Sequence, residues 1–66
     1  MRITINGSVQ EIGEHVTLHQ LLMQLNLMEE RVVIECNGHI ISPDHFSFHR
    51  VQEGDVIEIV RFVGGG

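Results

Sequence analysis

Residues 55–66 read DVIEIVRFVGGG, in which an apolar strand pattern runs directly into three glycines. Successive side chains of a strand point to opposite faces of the sheet. Both faces of this strand are largely apolar: one carries Val56, Glu58, Val60 and Phe62, and the other carries Ile57, Ile59, Arg61 and Val63. The pattern predicts a core strand over residues 55–63.

The glycines Gly64, Gly65 and Gly66 predict a flexible tail behind a folded domain of residues 1–63. Three extended residues reach about 10 Å. Glycine has no Cβ, so it can pass through a narrow channel and adopt dihedral angles that other residues avoid. The tail is therefore suited to entering the active site of another protein. A fraying end or a cloning remnant is the alternative interpretation.

The composition limits the class of protein. The 66 residues suffice for one domain with a small core, and the single cysteine excludes an internal disulfide framework. The net charge of −5 disfavours nucleic-acid binding and favours a basic protein partner. No apolar run is long enough to span a membrane, and the N-terminus reads as a strand rather than a signal peptide. We expect a soluble cytoplasmic domain.

Two Asn-Gly pairs predict hairpins. The first, Asn6-Gly7, follows a strand that contains Ile3 and Ile5. A two-residue loop would place Val9 opposite Thr4, whereas a three-residue loop would place it on the face of Ile5, and we expect the three-residue loop. The second pair, Asn37-Gly38, joins residues 31–36 to residues 39–41.

A short amphipathic helix is predicted between the hairpins. Thr17 and Gln20 form a capping box, and Asn26 is a reasonable stop. The apolar positions Leu18, Leu21, Leu22 and Leu25 make one stripe. The resulting order β-β-α-β-β-β, with the last strand beside the first, predicts an α+β fold of the β-grasp (ubiquitin-like) type. It has a mixed sheet of about five strands with one main helix packed on one face.

One helix covers one face of such a sheet, so part of the last strand is expected to stay exposed and to contact a partner. The expected docking residues are Ile57, Ile59, Arg61, Phe62 and Val63. Alternatively, neighbouring side chains and the loop through Phe46 and Phe48 fill this surface.

No self-contained active site can be argued from the residues. The histidine pairs His15/His19 and His45/His49 lack the further ligands that a zinc site requires, so we expect no metal site. Cys36 is favoured as a structural thiol rather than a nucleophile. We therefore expect a chain that is not an enzyme, with the carboxylate of Gly66 as its unusual chemical group.

The chain resembles the ThiS family, the ubiquitin-like sulfur carriers of thiamine (thiazole) biosynthesis. The resemblance lies in the run EGDVIEIV (53–60), in the glycine terminus, and in the length and element order of the whole chain. Gly65 and Gly66 match the diglycine of the family, while Gly64 matches only members that end in three glycines. The middle of the chain carries no family motif and resembles the family only in the order of its elements.

The resemblance implies a carrier whose tail enters partner active sites. An E1-like adenylyltransferase of the ThiF type would use ATP and Mg²⁺ to adenylate Gly66. A cysteine-derived persulfide would then convert the adenylate into a thiocarboxylate, which donates sulfur to thiazole formation on a thiazole synthase of the ThiG type. The chain itself is expected to bind no cofactor.

Three other functions remain open from the sequence. The chain could be a sulfur carrier of the kind found as the small subunit of molybdopterin synthase. It could be a ubiquitin-like modifier joined to target lysines. It could also be a passive β-grasp interaction domain whose glycines have no chemical role.

Overall fold

The computed structural model describes residues 1–62, which form five strands, one α-helix and two short 3-10 turns. The strands are β1 (Arg2–Ile5), β2 (Ser8–Glu11), β3 (Val32–Cys36), β4 (His39–Ile41) and β5 (Val56–Arg61). The helix α1 spans Leu18–Gln24, and the 3-10 turns span Glu29–Arg31 and Pro43–His45. The predicted strand over 55–63 is therefore observed as Val56–Arg61. Residues Val63, Gly64, Gly65 and Gly66 lie outside the described residues, so the predicted boundary at residue 63 stays a prediction.

The strands form one mixed sheet in the order β2-β1-β5-β3-β4. The last strand lies in the middle, parallel to β1 and antiparallel to β3. The helix crosses from the first hairpin to the second, and its buried residues belong to the same core as those of the sheet. This arrangement confirms the predicted β-grasp fold.

Both Asn-Gly pairs form two-residue hairpin turns with positive φ at both positions. The φ angles are 50° and 81° for Asn6 and Gly7, and 52° and 85° for Asn37 and Gly38. Turns of this type match the twist of the strands that they join. The expected three-residue loop in the first hairpin was therefore wrong: Val9 pairs with Thr4 and is 62% exposed.

The helix begins and ends where the sequence predicts. The backbone N–H of Gln20 donates to Thr17 Oγ1 at 3.1 Å, and the backbone N–H of Thr17 donates to Gln20 Oε1 at 2.9 Å, which completes the capping box. Asn26 has a φ of 59°, the left-handed conformation that terminates helices. Leu18, Leu21 and Leu22 are buried in the core.

The core lies between α1 and the inner face of the sheet. Its largest fully buried side chain is Phe46, which comes from the segment after β4 rather than from a regular element. Phe48, two residues later, is 65% exposed. None of the helices within residues 1–62 is both long and apolar enough to cross a membrane.

The two phenylalanines allow a matched test of the core. Phe46→Ala is expected to cost about 3–5 kcal/mol of unfolding free energy, because it leaves a cavity in the core. A domain of this size has about 3–10 kcal/mol in total, so the variant should lose a large part of its stability. Phe48→Ala should stay within about 0.5 kcal/mol of the parent. Urea denaturation of both variants checks this, and equal losses would contradict the described core.

Candidate functional site

The candidate site is the end of β5, from which the chain runs on to the glycines. Thr4 and Ile5 of β1 pair with Val56 and Ile57, while all five residues of β3 pair with β5 on its other edge. The backbone N–H of Phe62 then donates to the carbonyl of Arg31 at 2.9 Å. The chain is thus held by backbone hydrogen bonds as far as Phe62.

The side chain of Asn6 extends the pairing of β5 beyond the end of β1. Its amide nitrogen Nδ2 donates to the carbonyl of Ile59 at 3.1 Å, and its Oδ1 accepts from the backbone N–H of Ile59 at 2.8 Å. One amide therefore satisfies both backbone groups of a residue, as a further strand residue would. The sequence predicted the turn at Asn6 but not this contact.

Asn37, in the second hairpin turn, holds the start of β5 in a similar way. Its Oδ1 accepts from the backbone N–H of Val56 at 2.9 Å, and its own N–H donates to the carbonyl of Val56 at 2.8 Å. Its Nδ2 donates to Asp55 Oδ1 at 3.0 Å, and Asp55 Oδ2 accepts from the backbone N–H of Gln52 at 2.8 Å. Buried Asp55 is thereby fully engaged in fixing the turn before β5.

The expected docking residues separate into two groups. Ile57 is 0% exposed and Ile59 is 7% exposed, so they pack in the core and were wrongly predicted to contact a partner. The strict alternation of the strand explains this, because these two residues lie on the face that the helix covers. Arg61 and Phe62 are exposed at the end of the strand and remain candidates, and Val63 lies outside the described residues.

The opposite face of the sheet carries exposed apolar side chains around a pair of carboxylates. Val56 and Val60 are 46% and 61% exposed on β5, and Ile40 on β4 is 70% exposed. Glu35 and Glu58 are direct neighbours across β3 and β5. The expectation that apolar surface stays uncovered is confirmed, and a partner on this face would meet negative charge at its centre.

Cys36 is buried, and His19 contacts a glutamate. Cys36 is 6% exposed, and burial together with the neighbouring carboxylate of Asp55 raises the pKa of its thiol to about 11. At neutral pH only about one thiol in ten thousand would be ionised. The buried position expected for Cys36 is confirmed, and its role as a structural thiol stays a prediction. Within residues 1–62 no three metal-binding side chains come together, and His19 Nδ1 instead lies 2.7 Å from Glu29 Oε2.

The comparisons with known proteins agree on one family. A family model described as "ThiS family" matches residues 3–66. The sulfur carrier protein ThiS of Escherichia coli (strain K12) is 29% identical over 66 residues, covering 100% of both chains. The crystal structure of a thiamine biosynthesis protein (ThiS) from Geobacter metallireducens superimposes with a TM-score of 0.84 at 32% identity, covering 100% of both chains.

Some relatives are much longer than this chain. A thiazole synthase of Magnetococcus marinus is 38% identical over 66 residues, which is 100% of this chain but 20% of that protein. A thiazole synthase of Paramagnetospirillum magneticum matches at 33% identity over the same share of its length. The chain thus spans about a fifth of the length of these two relatives.

The two hydrogen bonds between the Asn6 amide and the backbone of Ile59, which we call the Asn6 clamp, can be tested by substitution. Asn26 is the matched control, because it has a similar positive φ and makes no side-chain hydrogen bond within residues 1–62. Asn6→Gly should lose about 1–3 kcal/mol of unfolding free energy, because the backbone groups of Ile59 lose their partner. Asn26→Gly should be nearly neutral. Hydrogen exchange of the Ile59 amide should accelerate only in Asn6→Gly, and unchanged exchange there would contradict the clamp.

The raised pKa of the Cys36 thiol predicts that the unfolding free energy falls at alkaline pH. The unfolded thiol ionises near its ordinary pKa of 9.0, whereas the folded thiol keeps its proton up to about 11. The folded state therefore holds more protons in this window, and the unfolding free energy falls as the pH rises, by up to about 3 kcal/mol. Urea denaturation from pH 8 to 11 should show this loss in the parent and not in Cys36→Ala. Parallel losses in both would contradict it.

Proposed function

The chain belongs to the ThiS family, and from this membership we propose that it is a sulfur carrier for thiazole formation in thiamine biosynthesis, with Gly66 carrying the sulfur as a thiocarboxylate. The observation that carries the proposal is the family match, which runs through the glycines to residue 66. The sulfur carrier from Escherichia coli, which aligns over its full length, supports the same function.

The fold suits a tail that works at a distance from the body. The body is held by hydrogen bonds up to Phe62, and four residues follow it. Four extended residues span about 14 Å at most. Gly66 can therefore reach an enclosed active site while the body rests on the surface of the partner. Gly64 and Gly65 would pass through the channel, because neither carries a side chain.

The chemistry begins with activation of a poor electrophile. A carboxylate oxygen of Gly66 attacks the α-phosphate of ATP, pyrophosphate leaves, and an acyl-adenylate forms on the partner enzyme. The terminal sulfur of an enzyme persulfide then attacks the glycyl carbonyl and expels AMP, which gives an acyl disulfide. A thiol reduces the sulfur–sulfur bond and releases the thiocarboxylate, the nucleophilic form that donates sulfur.

The partners follow from this sequence of steps. An E1-like adenylyltransferase of the ThiF type would use ATP and Mg²⁺, and a cysteine-derived persulfide would supply sulfur. A thiazole synthase of the ThiG type receives it, and the two thiazole synthases that match this chain support that partner. In this scheme the chain acts in the cytoplasm as the substrate of its partners and is not itself an enzyme.

Bulky residues in the tail test the proposal. Gly65→Leu and Gly66→Leu should abolish adenylation, because a side chain blocks entry to the channel, and should leave the melting temperature unchanged. The matched control is Gly13→Leu, since Gly13 is exposed and a Cβ there would meet no atom within 4 Å. ATP–pyrophosphate exchange with the ThiF-type enzyme of the host is the readout.

The control should support exchange at the rate of the parent. Undiminished exchange by Gly65→Leu and Gly66→Leu would contradict the proposed route of the tail. Unfolding of either tail variant would also contradict it, because the tail would then contribute to the fold. Absence of exchange with the parent itself would contradict activation of this chain by that enzyme.

A further inference from the structure

Two arginines line one cavity beside the start of the tail. The cavity has a volume of about 300 Å³ and is lined by Asn26, Leu27, Met28, Arg31, Arg61 and Phe62. Arg61 pairs with Val32, the residue after Arg31, and the N–H of Phe62 donates to the carbonyl of Arg31 at 2.9 Å. The backbone positions of both arginines are therefore fixed relative to Phe62, the last described residue before the glycines. We call this cavity the arginine pocket.

The arginine pocket is cationic on an acidic chain. Within residues 1–62 Arg2 forms an ion pair with Glu11, and His19 Nδ1 lies within hydrogen-bond distance of a carboxylate oxygen of Glu29. In that part of the chain neither Arg31 nor Arg61 is paired with a carboxylate, although the sequence has nine carboxylates and four arginines. Both arginines are exposed and line the same cavity. An anion bound in that cavity would be attracted by two positive charges.

We propose that the arginine pocket receives an acidic side chain, Asp or Glu, from the rim of the channel through which the activating enzyme admits the tail. The inference rests on the proposed function and adds the chemistry of the partner surface. A guanidinium binds a carboxylate through paired N–H donors. The apolar side chains of Leu27, Met28 and Phe62 would exclude water around that contact and so strengthen it.

The position of the pocket favours a protein carboxylate over a phosphate of the nucleotide. The phosphate that reacts must meet the carboxylate of Gly66, four residues beyond Phe62. If residues 63–66 are fully extended, that carboxylate lies about 14 Å from Phe62, which lines the pocket. In the proposed complex the pocket would therefore lie at the entrance of the partner's channel, away from the phosphate that reacts with Gly66. The Glu35–Glu58 pair on the open sheet face would repel an acidic rim, so charge directs such a rim to the pocket.

The four arginines provide a matched test, because two line the pocket and two lie elsewhere. The pocket variant is Arg31→Gln with Arg61→Gln, and the control is Arg2→Gln with Arg50→Gln. Each removes two positive charges, which takes the net charge from −5 to −7. Both control residues lie away from the pocket. The carbonyl of Arg2 accepts from the N–H of Gly54 at 2.8 Å, before the start of β5, and Arg50 lines a different cavity together with Cys36.

The affinity of each variant for the ThiF-type enzyme of the host is measured between 50 and 300 mM salt, first without ATP and then with it. The pocket variant should bind about 10-fold more weakly than the parent at low salt, mainly through faster dissociation, and its affinity should vary less with salt. The affinity of the control variant should stay within about 2-fold to 3-fold of that of the parent. Melting temperatures should remain close to that of the parent in both, because all four side chains are exposed.

Arg31→Lys with Arg61→Lys adds a variant that keeps both charges. It should recover part of the lost affinity, since lysine retains the charge but not the paired donors. Equal weakening of the pocket and control variants would overturn the proposal, because the effect would then be one of net charge. A loss seen only when ATP is present would also overturn it and assign the pocket to a nucleotide phosphate.

Failure of the arginine pocket assignment and failure of the proposed function would give different results. If the parent binds the enzyme and supports pyrophosphate exchange while the pocket variant binds like the control, only the arginine pocket assignment fails. If the parent neither binds nor supports exchange, activation of this chain by that enzyme fails, and the assignment of its rim to the pocket fails with it.

Discussion

The structure depends on the hydrogen bonding of β5, the central strand, along both of its edges. Backbone pairs with β1 and β3 hold most of the strand. The amides of Asn6 and Asn37 complete the pairing near its two ends, at Ile59 and Val56. Each buried backbone group that is left without a partner costs free energy, so these amides let a short sheet hold its last strand firmly. The chain is consequently held by hydrogen bonds up to Phe62, four residues before Gly66.

Much of this architecture could be predicted from local signals. The capping box at Thr17, the two Asn-Gly turns and the leucine stripe each act within a few residues, and they fix the element order. The register of the first hairpin was mispredicted because apolar Val9 was expected on the same face as Ile5. The preferred geometry of the two-residue Asn-Gly turn instead pairs Val9 with Thr4. Which face of β5 the helix covers depends on contacts between distant residues, so Ile57 and Ile59 were misassigned to a docking surface.

The site was predicted only in part for the same reason. The resemblance to the family marks the glycines, and Arg61 and Phe62 stood among the expected docking residues. Arg31 was not singled out, because thirty residues separate it from Arg61 and only the pairing of β3 with β5 brings the two to one cavity. The clamps by Asn6 and Asn37 are similarly hidden, since each side chain bonds to a strand far along the sequence. The two faces near the tail also differ in charge, with arginines at its base and glutamates on the open sheet.

The central claim is that Gly66 carries sulfur, and tandem mass spectrometry of the C-terminal peptide tests it most directly. The chain is incubated with ATP, Mg²⁺, a sulfur source and the ThiF-type enzyme of the host, and is then trapped with a thiol-reactive alkylator. Fragment ions are needed because oxidation of any of the three methionines changes the intact mass almost as much as replacing oxygen by sulfur does. We expect an alkylated sulfur on Gly66. An unmodified Gly66, with every component shown to be active, would contradict it.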